Sequence, residues 1–123
     1  MVELNNITKL YHNKPVVNNV SLKVKEGHTL VLLGRSGSGK TTILKMINRL
    51  VEPDAGKILF NGNNITDLSK ESLRRNIGYV IQAFGLFPHW TIAQNIVTVP
   101  GLLGGSPEKT ASRMSELLER MEL

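Results

Sequence analysis

Cysteine is absent from the 123 residues, which removes disulfides and thiolate metal sites together. The three histidines, His12, His28 and His89, are scattered without H-x-x-x-H spacing, so no zinc site is expected. Aspartate occurs only at Asp54 and Asp67, and neither closes an apolar strand. No apolar run approaches the roughly 18 residues of a membrane span. Glu3, Asn5 and Asn6 interrupt any apolar stretch that could serve as a signal peptide, and a cytoplasmic chain is expected. Aromatic residues are scarce at 5%, so any local concentration of them stands out.

What is present suits one globular domain with a real core: 41% hydrophobic and 20% charged residues. The net charge of +5 is moderate and reads first as a solvated basic surface; nucleic acid is not an expected partner.

The informative stretch is Gly34-Arg35-Ser36-Gly37-Ser38-Gly39-Lys40-Thr41-Thr42, which fits G-x-x-x-x-G-K-[ST]. It follows the apolar run 29–33, short and branched enough for a buried strand, and precedes a segment with Ile43, Ile47, Leu50 and Val51 at helical spacing. Each residue type has its reason. Gly34, Gly37 and Gly39 permit backbone shapes that let main-chain N–H groups converge on one point. A helix starting near Gly39 leaves its first amides unpaired and partially positive, where a phosphate binds well. Lys40 can reach the β- and γ-phosphates, and the Thr41 hydroxyl can join a Mg²⁺ shell. Ser36 and Thr42 place further hydroxyls close by.

Around this stretch the chain reads as alternating elements. Residues 2–10 suggest a strand, Asn13-Lys14 a turn, and Val20, Leu22 and Val24 a second strand. This antiparallel lead-in separates the chain from phosphate-loop proteins that begin at their loop. Pro53 stops the first helix, Asp54-Ala55-Gly56 reads as a turn, and Asn61-Gly62 marks a hairpin after residues 57–60. Asp67 or Ser69 can cap a short helix through Arg75. Residues 77–81 form another expected buried strand, ending at Gln82. Residues 84–90 then hold Phe84, Leu86, Phe87 and Trp90, a dense apolar loop. Thr91 opens a helical pattern with Ile92 and Ile96, and Gly101, Gly104 and Gly105 suggest a flexible connection. Ser106-Pro107-Glu108 is a strong helix start. Ala111, Met114, Leu117, Leu118 and Met121 form a stripe expected to pack, with Glu116 placed to pair with Arg120. Tyr11 reads either as a turn residue covering the sheet end or as a platform for a purine ring.

Together these residues resemble the ATP-binding subunits of ABC transporters. Residues 34–42 match that family's Walker A loop, Tyr11 its adenine-stacking aromatic and Gln82 its Q-loop glutamine. The stretches 45–50, 77–82, 85–91 and 94–96 look like the branch importing glycine betaine, carnitine, choline and similar osmoprotectants. The resemblance implies an α/β fold: a phosphate-loop core with an antiparallel β-subdomain over residues 1–86, then the start of a helical subdomain over 87–123. It implies ATP and Mg²⁺ as cofactors, with Gln82 contacting the metal or the attacking water. It also implies transmembrane permease subunits docked through the loop from Phe84 to Trp90, a second ATPase subunit, and a place on the inner face of the cell membrane. The same loop could instead fill the junction between core and helices. The family's L-S-G-G-Q signature, Walker B strand and switch histidine have no counterpart here, so an amino-terminal portion is expected, inactive alone. A non-catalytic fragment serving as a nucleotide-binding or interaction module is the competing reading.

Overall fold

The computed structural model describes residues 1–83 and 85–123. They fall into two compact units, Met1–Gly78 and Tyr79–Leu123, a packing division earlier in the chain than the motif-based one drawn at residues 86 and 87.

The first unit is built on a four-stranded antiparallel sheet of order β2-β1-β3-β4. Strand β1 (Val2–Tyr11) pairs with β2 (Lys14–Val24) and with β3 (Ala55–Phe60), and β3 pairs with the two-residue β4 (Asn63–Asn64). The β1–β2 turn is one residue earlier than the sequence suggested. His12 and Asn13 both adopt positive φ (50° and 59°), the backbone of the primed turns that match the strand twist. The Asn61-Gly62 turn lies where its sequence signal put it, again with both φ values positive (50° and 84°). Residues 54–56, read as a turn, instead lead directly into β3 at Ala55.

Helix α1 (Lys40–Ile47) lays Ile43 and Met46 into the core with Leu4, Ile7, Val17, Ile58, Ile65 and Leu73. It stops at Ile47, short of the apolar repeat through Val51, because the next two residues leave the helical path. Asn48 is buried and accepts a hydrogen bond from the Leu50 N–H, and Arg49 turns to φ 54°. Two arginines fasten this corner. Arg49 donates to the Ile65 and Leu68 carbonyls, and Arg74 of α2 (Lys70–Arg75) donates to the Asn48 and Arg49 carbonyls. Ser69 caps α2 by accepting from the Ser72 N–H, as its position implied.

The two apolar runs expected as buried strands are not strands among the described residues. Residues 29–33 and 77–81 have no ladder partner; Leu33 is 89% exposed and Val80 95%. Apolar, branched composition makes a segment fit for a sheet, but only a neighbouring strand satisfies its backbone, and the described sheet offers these segments none. Leu32 and Ile77 alone from these runs pack partly against the core.

The second unit carries α3 (Ile92–Leu102) and α4 (Pro107–Arg120). Thr91 forms a full capping box with Gln94, and α3 runs on through Pro100 to Leu102, taking in Gly101, which the sequence suggests for the connection. Neither helix buries a side chain completely, so the α4 stripe meets little of the packing expected of it. Glu116 pairs with Arg113, one turn back, rather than with Arg120.

Candidate phosphate-binding loop and its surroundings

The glycine loop reaches α1 through Gly39, which occupies the helix N-cap with φ 88°. A Cβ there would stand 2.6 Å from the Val16 carbonyl oxygen and 3.2 Å from Val17 Cγ2, so only glycine admits both the turn and the approach to β2. No side chain caps α1 and no acidic residue lies in its first turn. Its leading amides and the positive end of its dipole are therefore available to an anion. The Ile43 N–H to Gly39 carbonyl bond of 2.9 Å starts the helical ladder.

Lys40 folds back over this loop. Its ammonium donates to the Gly34 and Arg35 carbonyls, each at 2.8 Å, and to Ser38 Oγ at 3.2 Å. These bonds hold the cation over the loop. Ser36 and Gly37 form the exposed turn, Thr41 is exposed on the first helical turn, and Thr42 is half-buried behind it.

Tyr11 belongs to the same unit. In the β1–β2 register Lys9 faces Val17, the residue whose methyl abuts Gly39, and Tyr11 follows two positions later opposite Lys14. At about 3.4 Å per residue the aromatic stands roughly 7 Å further along the strand from the loop's contact with β2. The residue is 43% exposed, and the Lys9 ammonium lies 5.7 Å from its ring centroid. Gln82 is an exposed residue of the second unit. A Mg²⁺ ion held mainly by phosphate oxygens and water needs few protein ligands, and the Thr41 hydroxyl at the helix start fits that demand. Among the described residues no three histidine or acidic side chains stand close enough to hold a metal by themselves.

In the second unit the aromatic loop forms a shaped surface. Phe87 and Trp90 stack with ring centroids 4.4 Å apart, tilted by 32°, and both remain about half exposed. Asn95 braces them: its Oδ1 accepts from the Phe87 N–H at 2.8 Å, and its Nδ2 donates to the Phe87, Trp90 and Thr91 carbonyls. A cleft of about 230 Å³ opens beside them, lined by Leu86, Pro88, Ile92 and Ile96. Phe84, the first aromatic of this loop, lies outside the described residues. Asn95 gave no chemical signal in the sequence, because its role rests on three carbonyls gathered by the loop's own fold.

A glycine loop feeding an uncapped helix beside a sheet defines an α/β protein with a phosphate-loop core, to which an antiparallel β-subdomain and the first helices of a helical subdomain are joined. The model of the ABC transporter family matches residues 17–123, and the chain belongs to that family. It is 50% identical over its whole length to the osmoprotectant import ATP-binding protein OsmV of Salmonella typhimurium. It is 51% identical to the choline transport ATP-binding protein OpuBA of Bacillus subtilis, and 49% to the glycine betaine uptake system ATP-binding protein YehX of Escherichia coli. The chain spans 34%, 32% and 40% of these relatives, respectively. Among solved structures, the ATP-binding cassette MJ0796, a dimer in a post-hydrolysis state bound to ADP and Pi, superposes with a TM-score of 0.84 at 33% identity. All of this chain and 58% of that one are covered.

Proposed function

We propose that this chain is the ATP-binding portion of an ABC-type importer ATPase that drives uptake of quaternary-amine osmoprotectants. The observation that carries this reading is the loop from Gly34 to Thr42 seated on α1, with Lys40 at its mouth and Gly39 pressed against β2. The osmoprotectant branch is supported by the names of relatives about half identical along the whole chain. In this reading the loop amides and Lys40 hold the β- and γ-phosphates, and Ser36 and Thr42 add hydroxyls beside them. Thr41 and Gln82 belong to the shell of Mg²⁺, which when bound neutralises phosphate charge. Gln82 also orients the attacking water. Tyr11 stacks on the adenine. The site is completed by a second ATPase subunit.

The same reading places the protein at the cytoplasmic face of the membrane, docked to permease subunits. No described helix is long and apolar enough to cross a membrane. The docking surface is the loop ending in Phe87 and Trp90: half-exposed stacked aromatics beside an apolar cleft are the anchors interfaces favour.

Replacing Phe87 and Trp90 by Ser should leave ATP affinity unchanged while abolishing co-purification with the permease subunits. Assembly that survives the double substitution refutes the docking role. Tyr11→Ala should weaken ATP and GTP to a similar degree, by about 1–3 kcal/mol, because stacking tolerates either purine. Titration with both nucleotides checks this, and a sharp difference between them assigns Tyr11 another role.

A further inference from the structure

We propose, resting on the reading of Tyr11 as the base platform, that Asp54 is a positioning residue for nucleotide binding, holding the tip of the β1–β2 hairpin at the height where Tyr11 meets the base. The need for such a residue follows from the ladder. On one side β1 is paired to its end, through Tyr11 and Lys14. On the other side its pairing with β3 stops at Thr8 and Ala55, so the last three residues of β1 have no strand beside them there.

Asp54 takes the place of the missing strand. Its own N–H donates to the Thr8 carbonyl at 2.8 Å, continuing the ladder by one bond. Its carboxylate then reaches past, accepting from the Leu10 N–H at 2.6 Å and from Lys9 Nζ at 3.0 Å. One side chain thus fixes the residue before Tyr11 through the backbone and the residue before that through its ammonium. The second bond also bears on the ring. Lys9 lies over Tyr11 at 5.7 Å, so Asp54 also fixes the cation that sits over the ring.

The chemistry suits a permanent anchor. The Leu10 N–H first, and then the Lys9 ammonium, hold the Asp54 carboxyl below its ordinary value. The favourable interaction is therefore fully present above the ordinary aspartate pKa and is lost only as pH falls through the lowered folded value. At neutral pH Asp54 is ionised throughout and both bonds are charge-assisted.

The experiment titrates the chain by calorimetry with ATP and with inorganic tripolyphosphate, which reads the phosphate loop without a base. Asp54→Ala should weaken ATP by roughly five- to tenfold, the scale of one lost hydrogen bond, and leave tripolyphosphate unchanged. Asp54→Asn, which still accepts from the Leu10 N–H but no longer attracts the Lys9 ammonium as an anion, should recover only part of that loss. In a Tyr11→Ala background, Asp54→Ala should cost nothing further for ATP, since both act through one ring. Equal weakening of both ligands, an unchanged ATP affinity, or additive losses in the double variant would overturn the proposal. If Asp54→Ala does not fold, Lys9→Met decides, since it spares the Leu10 bond: loss of ATP affinity alone supports the anchor, and equal loss or none overturns it. A parent chain that binds tripolyphosphate as well as ATP would instead overturn the reading of Tyr11 on which the anchor rests.

Discussion

Lys40→Ala is expected to lower ATP affinity by about one to two orders of magnitude. Two losses combine. The ammonium is a cation held on the loop, and a charge-assisted hydrogen bond to phosphate is worth about 1.5–3 kcal/mol. It also ties the loop together, through the Gly34 and Arg35 carbonyls and Ser38 Oγ, so its removal loosens the cradle. Lys40→Gln separates the two contributions, because an amide can still donate to the loop carbonyls but carries no charge. If charge dominates, Gln binds ATP as weakly as Ala; if loop tethering dominates, Gln recovers much of the affinity. Calorimetric titration with Mg·ATP decides between them. Equal affinity in Lys40→Ala and parent would remove the phosphate-loop assignment altogether.

That the loop could be read from sequence while other features could not has a physical basis. Signals that act within a few residues were legible. Asn61-Gly62 needs only its own backbone preference to turn, Ser69 needs only the Ser72 amide, and Thr91 needs only Gln94. The phosphate loop is of this kind as well, since glycines, lysine and hydroxyl lie within nine consecutive residues. Features that depend on distant partners were misread or missed. The runs at 29–33 and 77–81 have strand composition, yet a strand exists only by pairing, and pairing is a property of the whole sheet. Asp54 appeared as a turn residue because its partner amide is 44 positions away. Glu116, placed by its spacing to pair with Arg120, pairs instead with Arg113.

A polypeptide of these 123 residues is expected to bind Mg·ATP and yet release phosphate no faster than background. Phosphoryl transfer to water needs a cradle for the phosphates, a firmly held metal and a positioned, activated water. In the proposed reading Lys40, the α1 amides and Thr41 supply the cradle. The first turn of α1 is free of acidic residues, and no metal-holding acidic or histidine cluster occurs among the described residues. Three of the six acidic groups of the surrounding unit are otherwise engaged. Asp54 is bound by Leu10 and Lys9, Glu52 by Arg49 and Lys70, and Glu3 by Lys23. Gln82 can orient a water but, as a neutral amide, cannot take its proton. Recruiting any of those carboxylates would break a pairing that lowers its pKa and so weakens it as a base. A phosphate-release assay on the purified chain checks this, with Lys40→Ala as the control for contaminating ATPases. Turnover that depends on Lys40 and reaches about 1 per second, an ordinary enzymatic rate, would mean that a carboxylate of this chain does reach the phosphates.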